Sequence, residues 1–317
     1  MSRFIARRVA LALVTLVVIS ILIFAGTQLL PGDVARRVLG PFATQTAVDA
    51  LNVRLGTDRP VLVQYWDWVS SAVTGDLGFS ISFSRPVTEL LGRAVSNSAK
   101  LAVVAFVIVV PLSILGGVVA ALRRNTITDR FITVGGLSAT VIPEFVSGIV
   151  LILVFAIWLD WLPFAATAPA GSGILTQVRH LILPAIPLVL VLFGYIAKIT
   201  RAGVIEALDA DYTRTAVLKG LPRSRVIRRE VLRNALLPTI AVVASQVGYL
   251  IGGLVVVEVL FNYQGIGRLL YDAAKSADFP LLAGGVLVVA VAFQVSMLLA
   301  DLIYGWLNPR IRLGGAE

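Results

Sequence analysis

The sequence predicts an all-α integral membrane protein of six transmembrane helices, with a sizeable extracytoplasmic segment after the first helix. Three observations carry that prediction. Hydrophobic residues make up 58% of the 317 and charged residues only 14%, with a mean hydropathy of +0.91, outside the range of a water-soluble domain. Six apolar runs reach or approach the roughly 20 helical residues needed to cross about 30 Å of hydrocarbon. Lys and Arg gather in alternate connections between those runs. The chain has no Cys and one His, so no disulfide framework, thiolate site or zinc ligand set is expected.

Taken in order, the first run, 9–30, follows "MSRFIARR", which is similar to a secretory n-region. Its apolar stretch is too long for a signal h-region and "GTQLLPGDVA" offers no A-x-A cleavage site, so 1–30 is read as an interfacial segment and an uncleaved anchor. The 31–95 segment carries the aromatics Tyr65, Trp66, Trp68, Phe79 and Phe83. Two readings stand for it, a small folded cap and an interfacial belt of aromatics. The core, 96–307, holds spans near 101–122, 131–159, 181–197, 235–257 and 281–307. In the fourth, Pro184 and Pro187 are expected in the first helical turn, where a missing N–H is harmless. A tail, 308–317, follows.

Charge orients the spans. Three Lys or Arg precede span one, three lie between spans two and three, nine between spans four and five and two after span six, against Arg179, Arg268 and Lys275 in the alternate short loops. Residues 31–100 add seven, nearly balanced by six acidic residues, and long loops weigh little. Both termini and the 123–130 and 201–234 loops are therefore expected in the cytoplasm of a multi-pass cell-membrane protein, with anionic lipid headgroups nearby.

The charged loop "DYTRTAVLKGLPRSRVIRREVLRNALLP" reads as two helices rather than a disordered tail. "EALDADYTRTAVLKG" places Leu208, Tyr212 and Ala216 at i, i+4, i+8 and ends at Gly220, suited to a left-handed C′ position. "LPRSRVIRREVLRNALLP" restarts with Pro222 at N1 and carries Ile227, Val231 and Ala235 along one stripe. The bland alternative is a solvated basic loop on lipid headgroups.

These residues resemble the membrane subunits of binding-protein-dependent ABC importers, in the dipeptide and oligopeptide branch. In "RTAVLKG", Arg214, Thr215, Ala216 and Gly220 take the positions of the family's E-A-A-x-x-x-G coupling loop. "LLPGDVA", "GDLGFS", "VVEVLFNYQGIGRLLYDAAKSADFP" and "DLIYGWLNPRIR" are similar to peptide-permease segments too. Pro222 stands where a capping Ser is usual, Asn262-Tyr263-Gln264 where an aromatic-Pro pair is commoner, and Asn308 where Asp is. The resemblance implies the type I ABC importer fold and a non-catalytic subunit forming half of a pathway for di- or oligopeptides. Nickel, haem or another small ligand is the alternative cargo. It also implies a second, related permease chain, two ATPase subunits that use ATP and Mg, and an extracytoplasmic substrate-binding protein. Asp211, Tyr212, Arg214, Thr215, Ala216, Leu218, Gly220 and Leu221 would form the contact with the ATPase.

The residues fit that implication in one respect. No G-x-x-x-x-G-K-[ST] loop and no Gly-Lys pair occur, so this chain binds no ATP by that route and no cofactor of its own is expected. A secondary transporter would need internal repeats, a membrane hydrolase a His-based constellation, and a nucleic-acid binder aromatics among its basic residues; none is evident.

Polar groups within spans are the remaining candidates, because buried ionisable residues in lipid are costly. Glu144 either lines the pathway or pairs with Lys198 or Arg201. Glu258 either helps close the external mouth or is a hydrated interfacial carboxylate. Gln246 is expected to hydrogen-bond between helices, Asp301 to meet a cation, and His180 to be a surface imidazole. No catalytic or metal-ligating residue is expected.

Overall fold

The computed structural model describes residues 2–29, 36, 39, 40, 42–169 and 171–307. Residues 31–35 of "LLPGDVA" and the 308–317 tail lie outside that set. Apolar helices dominate, as the hydropathy requires. In order they are α1 (Ser2–Leu29), α2 (Gln45–Leu55), α3 (Val61–Val73), a two-stranded pair β1 (Phe79–Ser80) and β2 (Arg85–Pro86), and α4 (Val87–Leu122). Then come α5 (Ile127–Val141) and α6 (Glu144–Trp158), α7 (Ile174–Asp209), α8 (Asp211–Leu218), α9 (Leu232–Leu260), α10 (Ile266–Lys275) and α11 (Phe279–Leu307).

Two expectations about the spans need correction. Span three is not one straight helix: α5 and α6 meet at a bend of 105°. Pro143 forces it, because the residue before a proline is pushed out of the α region, and Ile142 is extended with φ −74 and ψ 121. Pro184 and Pro187 are not in a first turn. α7 begins ten residues before Pro184, so both prolines sit inside it and are buried. Such interruptions are tolerated where neighbouring helices cover the freed carbonyls.

The chain folds as two compact units, one built on Ser96–Arg268 and the stretch from Phe293, the other on Ala6–Val95 and Leu269–Ala292. In the first, α7 is the axis. Leu183, Leu188, Leu192 and Ile196 pack with Leu101, Ala105 and Val109 of α4 and with Leu250, Leu254 and Val257 of α9. The spacing of the α4 residues, i, i+4, i+8, is one helix face. A Cβ at Gly194 would run into the backbone of Gly136, so α5 and α7 touch main chain to main chain.

Side chains tie both ends of the bent pair to α7. At one end Arg201 grips Asp129 with Nε–Oδ1 2.6 Å and Nη2–Oδ2 2.8 Å. At the other, Arg179 donates to the carbonyl of Trp161 at 3.1 Å, and His180 Nδ1 lies 2.7 Å from that of Ala165.

In the second unit, the described residues of the 31–95 segment form α2, α3 and the β1–β2 pair. Phe24 of α1 meets Tyr65 and Trp68 of α3 at ring distances of 5.4 and 6.1 Å. Tyr65 Oη is 2.8 Å from Ser20 Oγ. The β1–β2 pair is held by buried Asp278, just before α11. Its Oδ2 accepts from Ser80 Oγ at 2.5 Å and from the N–H of Ser82 at 2.9 Å, and its Oδ1 from the N–H of Leu281 at 3.2 Å.

Candidate coupling loop and buried carboxylates

The loop between α7 and α9 starts with a break. Ala210 is extended, with φ −75 and ψ 149, and its carbonyl accepts from the N–H groups of Thr213 and Arg214 as α8 begins. Thr213 Oγ1 reaches back to Ala207 O at 2.7 Å, across the break. Thr213 and Ala216 are the buried residues of α8. Ala216 packs with Val204, Ala207, Val226, Val231 and Ala235, with Leu208 and Leu221 at the edge. The expected stripe of Leu208, Tyr212 and Ala216 does not form, because the break resets the helical phase. Ala216 faces the chain's own core and Leu221 is half-buried, while Tyr212, Arg214, Thr215 and Leu218 point out. Val217, which the sequence reading passed over, points out with them. Leu218 is 87% exposed.

The end of α8 is as its sequence predicts. Gly220 has φ +74, the N–H of Leu221 bonds to Ala216 O at 3.3 Å and that of Gly220 to Val217 O at 2.9 Å. That pair of bonds, with Leu221 packed beside Ala216, is a Schellman stop. Pro222 sits one position earlier than expected, as the N-cap of the turn Arg223–Arg225. A π-helical turn, Val226–Val231, follows and buries those two residues. Ile227 is therefore only half-buried, and the inward stripe is Val226, Val231 and Ala235.

Glu258, at the end of α9, is fully buried, which overturns its reading as a hydrated interfacial group. Its Oε1 accepts from Ser98 Oγ at 2.5 Å. Its Oε2 accepts from the N–H groups of Gly267 at 2.7 Å and Arg268 at 3.2 Å, at the first turn of α10. Ser98 in turn accepts from the N–H of Ile266 at 2.8 Å. A Cβ on Gly265 would overlap the Glu258 carboxylate, so that glycine is the floor of the cradle. Tyr263 Oη adds a bond of 3.0 Å to Asn97 O.

A third buried carboxylate was not anticipated at all. Besides Arg201, Asp129 accepts from the N–H of Asn125 at 2.9 Å and from Thr133 Oγ1 at 3.2 Å. Since Arg201 is engaged there, it does not pair with Glu144. Glu144 is half-buried at the first turn of α6, at the bend, and Gln246 is half-buried on α9.

A model of the family described as binding-protein-dependent transport system inner membrane component matches residues 113–313, and the model of its N-terminal region matches 1–110. The glutathione transport system permease protein GsiC of Escherichia coli O6:H1 is 35% identical over 98% of this chain and 99% of its own length. Its counterparts in Escherichia coli K12 and Shigella flexneri serotype 5b are 34% identical over the same shares. The crystal structure of an amino acid ABC transporter with histidines aligns over 68% of this chain and 94% of that one, at a TM-score of 0.48 and 17% identity. With both family models matching along nearly its full length, the chain belongs to the binding-protein-dependent transport system inner membrane components and is a membrane-spanning permease of an ABC importer.

Proposed function

We propose that this permease forms half of a pathway for di- or oligopeptides, and that α8 is the element through which ATPase subunits move it. The supporting observation is the outer surface of α8. With Thr213 and Ala216 turned into the chain's own core, Tyr212 is left exposed near the start of α8, and Val217 and Leu218 make an exposed apolar tip at its end that no described residue covers. Driving a gate from 1:99 to 99:1 takes about 5.5 kcal/mol of differential binding. An exposed ion pair contributes about 0.2–1 kcal/mol in general, so packed apolar contacts must do most of it.

On this reading the 201–234 loop and both termini are cytoplasmic, and the ATPase subunits hold ATP and Mg. A second, related permease completes the pathway, and an extracytoplasmic binding protein delivers the cargo. Asp211, Arg214 and Thr215 rim the docking turn, while Gly220 and Leu221 fix its end. Peptide cargo is favoured because the similar permeases are named for glutathione, itself a short peptide. Glu144, beside the bend, is the candidate carboxylate to meet a peptide ammonium, with Gln246 a second candidate on the pathway.

Two measurements test this. Val217→Asp and Leu218→Asp place a charge on the apolar tip without touching the buried cluster, and each is expected to lower copurification of the ATPase by about tenfold while leaving the permease pair assembled. Retained association in both would remove α8 as the docking element. Uptake by a strain lacking this gene, across labelled dipeptides, longer peptides, glutathione, nickel and haem, should show loss for peptides. Loss confined to nickel or haem would replace the peptide reading.

A further inference from the structure

We propose that α3 is an interfacial membrane helix, with its Leu62, Trp66 and Val73 face inserted at the boundary between lipid headgroups and acyl chains. The geometry within the second unit points there. At 100° per residue, the apolar side chains of α3 other than Val63, which stands between Ser70 and Asp67 on the polar side, fall in one continuous sector. Half of that sector, centred on Tyr65 and Trp68, is taken by Phe24 of α1. The other half, Leu62, Trp66, Val69 and Val73, continues round the helix without a described partner for its most prominent members. Leu62, Trp66 and Val73 are 70–83% exposed.

The depth of that face is set by α1. The apolar span of α1 runs Ile5–Gly26, and Ser20, which bonds Tyr65 Oη, lies six residues before its end. At 1.5 Å per residue that is about 9 Å inside the edge of the span. A helix whose tyrosine reaches so far down α1 lies at the hydrocarbon boundary, with its uncovered apolar half continuing the surface of a span whose own side chains are almost entirely outward. Water there would meet a tryptophan and two aliphatic side chains. Lipid would take them at a gain of about 25 cal/mol for each Å² removed from water. The opposite side of α3 is what an interfacial helix shows to water. Gln64 donates to the carbonyls of Thr57 and Arg59 at 3.0 and 2.7 Å, Asp67 pairs with Arg59 at 3.1 Å, and Ser70 and Ser71 are exposed. Amphipathic helices with Trp and Leu on one face and charges on the other behave this way at bilayer surfaces.

The absence of Cys allows the depth to be read one residue at a time. Single Cys residues replace Leu62, Trp66 and Val73, and on the polar side Asp67 and Ser71. Each carries a nitroxide in the full transporter, reconstituted in phosphatidylethanolamine/phosphatidylglycerol vesicles. Collision rates with oxygen, which partitions into lipid, are compared with those of a water-soluble nickel chelate. The oxygen-to-nickel ratio is expected to be about tenfold higher at 62, 66 and 73 than at 67 and 71. Equal ratios on the two faces would overturn the proposal in favour of water. Labels at 62, 66 and 73 shielded from both reagents would overturn it in favour of a protein partner. A label-free measurement covers the case in which a nitroxide displaces the helix. Brominated acyl chains should quench a smaller share of the tryptophan emission in Trp66→Phe than in the unmodified transporter, and an unchanged share would also overturn the proposal.

Discussion

Glu258 is tolerated in a fully buried place because both of its oxygens are hydrogen-bonded. Ser98 takes one, and the amides of Gly267 and Arg268 the other. Glu258→Ala leaves those two N–H groups facing a void, at about 1–3 kcal/mol for each buried donor left unmade. Glu258→Gln keeps one acceptor oxygen and should lose less. The expected outcome is that the Ala variant melts several degrees lower in the purified complex, with Gln between it and the unaltered chain. An Ala variant as stable as the original would show that the cradle holds nothing. Asp278 in the other unit follows the same logic, a carboxylate spent on backbone amides. Glu258 was visible in the sequence as an acid inside an apolar run, but its environment was not. Ser98 is 160 residues away, and nothing local marks it as a partner. Asp129 escaped notice for the opposite reason: beside Thr126, whose hydroxyl caps its N–H, it reads as an ordinary first-turn acid, and only the fold brings Arg201 to it.

At the scale of elements, the grammar of helix, stop and helix in the 201–234 loop was legible because Gly220 is one of the few residue types at ease with a positive φ. Gly220→Val puts a β-branched side chain at φ +74, at a cost on the order of 1–2 kcal/mol, and displaces the turn that follows Leu218. ATPase coupling is expected to fall while the permease pair still assembles, with Gly220→Asn much milder because Asn tolerates that region. Substrate-stimulated hydrolysis in the purified complex checks it, and full coupling in Gly220→Val would show that the stop is incidental. Which residues face inward was less legible. Periodicity assumes one unbroken 3.6-residue helix, whereas the break at Ala210 and the π turn at Val226–Val231 each shift the phase. That is why Ala216 proved internal, Val217 external and Ile227 peripheral. The bend at Pro143 and the prolines within α7 show the same limit. A proline signals a disturbance, and the surrounding packing decides whether the helix ends, kinks or continues.

For the whole molecule, the question is whether the bent pair crosses the membrane or dips in and returns. The ties to α7 answer it. The beginning of α5 is fastened to Arg201, and the residues just after α6 to Arg179 and His180. From His180 to Arg201 is 21 residues, about 32 Å of helix, close to the roughly 30 Å of a hydrocarbon core. The bent pair therefore spans the same depth as α7 and counts as one broken crossing, making six with the five long helices among the described residues. It also sets the 123–130 and 201–233 cations on one side, as the Lys/Arg asymmetry expects for the cytoplasm. Six crossings and five give different labelling patterns. Ser71 and Ser224 are both exposed, and with six crossings they lie on opposite sides, whereas a re-entrant pair would put them on the same side. Single Cys residues introduced as Ser71→Cys and Ser224→Cys should react with an impermeant maleimide from opposite faces, Ser71→Cys in intact cells and Ser224→Cys only after the membrane is opened. Reaction of both in intact cells would mean that α5 and α6 return to the side they came from, and the depth argument from Arg201 and His180 would fail with it.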